Sequence, residues 1–117
     1  MITGLRVVYL YVKDIERAQA FYRDVLGLEL EGDDDWVETT LPGDVRFALH
    51  RWHEGAAEPS SGGVNVDFEV EDVDAAAEDL RARGVEIGGI HREPYGSFFS
   101  FTDSEGYRLG LFAQPRA

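Results

Sequence analysis

The chain has 117 residues, 44% of them hydrophobic and 12% aromatic, with a formal net charge of −12 and no cysteine. That is the length of one small domain with ample apolar material for a packed core, which excludes disorder. The charge repels phosphate backbones and anionic lipid, so a nucleic-acid or membrane partner is not expected. The missing thiols exclude a disulfide scaffold, a thiolate zinc site and a cysteine nucleophile.

The first residues, "MITGLRVVYL", show no charged leader before a long apolar run, so a cytoplasmic location is expected. "LRVVYLYV" (5–12) is rich in β-branched and aromatic residues and predicts a strand, with Val7, Tyr9 and Tyr11 on one face. Asp14 is a good N-cap, and Ile15, Ala18, Phe21, Tyr22, Val25 and Leu26 recur at helical spacing up to Gly27, a C-cap residue. "LELEGDDD", "WVETTLPG" and "DVRFALHRW" follow as three extended segments separated by turn signals. "HEGAAEPSSGG" (53–63) reads as a linker.

The order then repeats. "VNVDFEV" (64–70) alternates strictly, with Asn65, Asp67 and Glu69 on one face. Asp72 caps a second helix carrying Val73, Ala76, Ala77 and Leu80, and Gly84 ends it. "VEIGGIHRE", "GSFFSFTD" and "YRLGLFAQ" supply three more strands, the last two joined by "DSEG". The prediction is an α+β fold: two tandem β-α-β-β-β modules, 1–54 and 62–117, within one domain. One helix covers one face of each small sheet, so the modules are expected to form a curved, partly open sheet around a central cleft lined from both copies.

The stretches "VKDIERAQAFYRDVLGLEL", "FEVEDVDAAAEDLRARGVEI" and "FTDSEGYRLGLF" together resemble the vicinal oxygen chelate superfamily, which holds glyoxalase I, the extradiol dioxygenases and the bleomycin-resistance proteins. The resemblance runs over essentially the whole chain. It implies the paired-module fold, and for the superfamily's metal enzymes four inward ligands, typically His and Glu. Carried over residue by residue, those positions fall on Val7, Phe47, Asn65 and Gly110, with Ala48 or His50 in place of Phe47 if the register slips, and His50 alone or with Asn65 does not make a site. Divalent ions need converging imidazole and carboxylate donors, so no metal or other cofactor is expected and catalytic residues are not assigned. What the resemblance then implies is a metal-free small-molecule-binding protein of the glyoxalase/bleomycin-resistance type, often a homodimer. The alternative is a lyase, isomerase or dioxygenase with a displaced metal site or metal-free acid–base chemistry on Asp67 or Glu69.

Alternation puts Tyr9, Tyr11, Phe47, Leu49, Arg51, Asn65, Asp67, Glu69, Arg108, Gly110 and Phe112 on the inner faces, with Trp36 and Trp52 added from strand ends. Of these, Tyr9, Tyr11, Trp36, Phe47, Asn65, Asp67, Glu69, Arg108 and Gly110 are the candidate ligand-binding residues. The aromatics suit stacking, and the acidic pair suits a basic group on an aromatic compound, such as an antibiotic held by sequestration. Two other features read as structural: the histidines as surface or satisfied core groups, and "EGDDD" as a solvated turn.

Overall fold

Asp14 and Asp72 each start a helix, and each does so through its side chain. Asp14 accepts from the Arg17 amide at 3.0 Å, opening α1 (Ile15–Asp24). Asp72 accepts from the Asp74 and Ala75 amides at 2.9 and 3.1 Å, opening α2 (Val73–Ala82). A side-chain oxygen here satisfies amide donors that the helix itself leaves unpaired. Gly27 and Gly84 follow the helices at φ 76° and 78°, left-handed backbone that a residue with a Cβ rarely adopts. These are residues of a computed structural model that describes residues 1, 3, 5–59 and 66–115.

The chain divides into two units, Met1–Ser61 and Gly62–Ala117. The first holds α1 and strands β1 (Val8–Val12), β2 (Glu31–Gly32), β3 (Trp36–Leu41) and β4 (Val45–Arg51), in the order β1-β4-β3-β2. β1 and β4 run parallel, with Tyr9 beside Ala48 and Tyr11 beside His50, and the other pairs are antiparallel. The second unit repeats this with α2 and strands β5 (Asp67–Glu69), β6 (His91–Glu93), β7 (Gly96–Thr102) and β8 (Arg108–Ala113), in the order β5-β8-β7-β6. β5 and β8 are the parallel pair. The architecture is therefore α+β, as the sequence predicts.

The helix sorts each sheet into a dry face and a free one. Beneath α1 lie Val12, Val37, Phe47 and Leu49, all buried, and the Tyr22 ring packs against that of Phe47 with centroids 5.3 Å apart. In the second unit Val73, Ala77 and Leu80 are the buried residues of α2, while Phe99, Phe101, Leu109, Leu111 and Ala113 are buried on its sheet. The hairpin between β7 and β8 is closed by Asp103, 7% exposed, whose Oδ1 accepts from the Glu105 and Tyr107 amides at 2.9 Å each.

Three predicted strands are shorter than expected. β1 starts at Val8 rather than Leu5. "LELEGDDD" contributes only Glu31–Gly32, because Asp33 folds the acids into a turn, accepting from the Asp35 and Trp36 amides at 2.8 and 3.0 Å. Those two backbone bonds hold the Asp33 carboxyl below the ordinary carboxylate range. "VEIGGIHRE" pairs continuously only over His91–Glu93, with one isolated bridge from Ile87 to Phe101 on the other side of Gly88 and Gly89. Residues 60–65, which include the end of the expected linker and the start of the expected fifth strand, lie outside the described residues. Among the described residues, no helix is long and apolar enough to cross a membrane.

Phe47→Ala removes the largest ring beneath α1 and is expected to cost about 3–5 kcal/mol. Urea denaturation checks this, and an unchanged midpoint would contradict the placement of Phe47 in the core.

Candidate functional site

The helix-free face of the first sheet collects rings. Tyr9 and Tyr11 come from β1 and Trp36 from the start of β3. His50 comes from β4, in register with both Tyr11 and Trp36. Tyr9 lies 5.5 Å from Tyr11 edge-on and 5.3 Å from Trp36, centroid to centroid. His50 lies 5.2 Å from Tyr11 and 5.5 Å from Trp36, and His53 adds a ring 5.8 Å from His50. Tyr9 nevertheless remains 43% exposed. The hydroxyl hydrogen bond with Tyr9 raises the Tyr11 phenol above its ordinary value, with desolvation and the charge of Tyr9 adding to the rise. Glu38 anchors the edge of this patch: Trp36 Nε1 donates to its Oε1 at 2.8 Å, and Arg46 Nε donates to its Oε2 at 3.0 Å. The Arg46 contact, then the Trp36 bond, lower the Glu38 carboxyl below its usual range. His50 Nδ1 sits 2.8 Å from the Arg51 carbonyl. A carbonyl only accepts, so Nδ1 is the donor in this contact.

On β4 the sequence expectation is one residue out of register. Phe47, with Leu49, points beneath α1, and Arg51 shares their parity, its Nη2 donating to Glu16 on the helix at 2.9 Å. The residues that share the free face with Tyr9 and Tyr11 are Ala48 and His50. Phe47 is thus a core residue, and His50, expected to be a surface or satisfied core group, joins the rings of the free face. A strand covered on one side buries Phe and Leu there and leaves the alternating Ala and His outward, and that contrast was the available signal. Trp52 is engaged locally, Nε1 donating to the Ala57 carbonyl at 3.1 Å with the Lys13 ammonium 4.8 Å from its ring centre.

The helix-free face of the second sheet brings together Asp67, Glu69, Arg108, Gly110 and Phe112. Asp67 pairs with Gly110 in register and Glu69 with Phe112. Phe98 and Ser100 of β7 join them, paired with Phe112 and Gly110. His91 stacks on Phe98 at 5.1 Å and 19°, and Phe98 lies nearly parallel to Phe112 at 6.4 Å. A concavity of about 350 Å³ opens here, lined in part by Asp67, His91, Phe98, Ser100, Arg108 and Gly110. Asn65 lies outside the described residues.

The metal positions implied by the resemblance do not fit an ion. Val7 has no donor, Phe47 is under the helix, and of the two residues that β4 does present on the free face Ala48 has no donor and His50 is a single imidazole. At Gly110 an added Cβ would lie 2.1 Å from Asp67 Oδ1, so the Asp67 carboxylate occupies the space a side chain there would need. Among the described residues, no group of three or more His, Asp or Glu side chains is arranged to hold a metal.

Comparison with known proteins agrees with this architecture. The family model described as Glyoxalase/Bleomycin resistance protein/Dioxygenase superfamily matches residues 4–111. The chain is 28% identical to TnmS3, an antibiotic binding protein from Streptomyces sp. CB03234, covering 97% of this chain and 98% of that one, with a TM-score of 0.80. A glyoxalase/bleomycin resistance protein from Streptomyces sp. CB03234 is 29% identical, covering 89% and 95% of the two chains at a TM-score of 0.72. Uncharacterized protein YaeR of Escherichia coli (strain K12) is 29% identical over 95% of this chain and 98% of its own length.

Protein purified without a histidine tag, incubated with Zn²⁺, Ni²⁺, Mn²⁺ or Fe²⁺ and dialysed, is expected to retain less than stoichiometric metal by elemental analysis. A retained equivalent would mean that residues other than these supply the ligands.

Proposed function

Because the chain belongs to the Glyoxalase/Bleomycin resistance protein/Dioxygenase superfamily, we propose that it is a small-molecule-binding member that works without a metal and sequesters an aromatic compound, such as an antibiotic. The observation that carries this reading is the ring cluster on the helix-free face of the first unit. A domain of this size gains most by burying its aromatics, and here α1 takes only Tyr22 and Phe47 fully out of water. Tyr9, Tyr11, Trp36 and His50 instead meet edge-on or tilted on the other face, with Tyr9 largely accessible. Tilted rings of this kind offer both faces and edges to a planar guest, and each stacking contact is worth about 0.5–1.5 kcal/mol beyond area burial.

Two further points support binding over catalysis. Val7 and Gly110, at two of the positions where the superfamily's metal enzymes hold their ion, have no side-chain donor, and among the described residues no three His, Asp or Glu side chains converge. A structurally similar protein, 28% identical, is an antibiotic binding protein. The net charge of −12 favours a guest with a basic group.

9-(Aminomethyl)anthracene, a planar aromatic ammonium, is expected to bind saturably by calorimetry and to quench tryptophan emission. Tyr9→Ala should weaken it about tenfold, the loss of roughly 1.4 kcal/mol, without lowering the melting temperature. Absence of saturable binding at millimolar probe would remove the proposal.

A further inference from the structure

The charge balance of the second unit's pocket points to a narrower class of guest. Resting on the binding reading above, we propose that this pocket takes a ligand carrying an oxyanion and a cation together, Arg108 receiving the first and Asp67 the second.

The argument starts from which charges are already matched. Lys13, Arg23, Arg46, Arg51, Arg83 and Arg92 each meet a carboxylate within 4 Å. Among the described residues Arg6, Arg17, Arg81 and Arg108 meet none, and of these four Arg108 alone lines the concavity. Its Nε donates to Ser100 Oγ at 3.1 Å, and among the described residues its terminal amino groups meet no carboxylate. Asp67 lines the same concavity and among the described residues makes no ion pair.

The two do not pair, because the Arg108 side chain turns toward Ser100 and Gly88. Asp67 is in register with Gly110, so Arg108 stands two residues along β8 on the same face. Such diagonal neighbours are roughly 7–8 Å apart at Cα. The Asp67 carboxylate lies over the bare Cα of Gly110, and the Arg108 side chain is drawn toward β7 by Ser100. Two opposite charges on one face with a gap between them suit a guest that bridges the gap, and the guanidinium fork is suited to a planar oxyanion. The rings of His91 and Phe98 line the same concavity and give the ring that joins the two charges an apolar contact.

The test uses three probes of one size: 4-(aminomethyl)benzoate, its methyl ester, which keeps only the cation, and 4-methylbenzoate, which keeps only the anion. Affinities are read by chemical-shift titration of the whole chain. The zwitterion is expected to bind at least about tenfold more tightly than either single-charge probe. Arg108→Gln should erase its advantage over the ester, and Asp67→Asn its advantage over 4-methylbenzoate. Both residues are exposed, and melting curves confirm that the variants fold. If the zwitterion binds no better than the single-charge probes, or if Arg108→Gln leaves its affinity unchanged, the charge-pair subsite is overturned. Binding of 9-(aminomethyl)anthracene would in that case still uphold the wider reading. If no aromatic probe binds at all, both fall.

Discussion

A ten-residue helix can dry one face of a four-stranded sheet and no more, and that inequality governs each unit of this protein. It places Phe47, Leu49 and Val37 under α1 and Phe99, Phe101 and Leu111 on the covered side of the second sheet. Because strand side chains alternate, every residue on the free face is then decided by parity alone. The parallel pairs β1–β4 and β5–β8 carry that parity across the sheet, since partners in register share a side. The aromatic patch and the charged pocket are therefore both consequences of where the helix is not.

Parity also explains what could be read in advance. Around β5 the run "VNVDFEV" alternates without exception, and the placement of Asp67 and Glu69 followed from it directly. Arg108 and Gly110 followed from the polar and small residues interleaved with Leu109 and Leu111. The helices were legible for a different reason: an Asp cap, a stripe at helical spacing and a terminal Gly agree with one another in both copies. Where local signals agree across levels, the reading is robust.

β4 shows how such a reading slips. "VRFALHR" has apolar residues at Val45, Phe47, Ala48 and Leu49, so its alternation is blurred by one small residue. Ala48 is buried although it belongs to the free face, where it lies in register between Tyr9 and Glu38. Counting from the strand's end put Phe47 outward, and only its packing with Tyr22 restores the register. β2 and β6 are shorter than their sequences predict because an Asp turn takes the backbone at Asp33 and because Gly88–Gly89 interrupt the run before His91.

The carboxylate of Asp67 resting on Gly110 binds the histories of two strands together. Any side chain acquired at position 110 must first move the Asp67 carboxylate. The two sites therefore form an epistatic pair: the effect of a substitution at one depends on the residue at the other. Relatives that carry a larger residue at the β8 position should differ at the β5 position as well. A change in what this face of the second sheet accommodates would have to alter these two residues in concert.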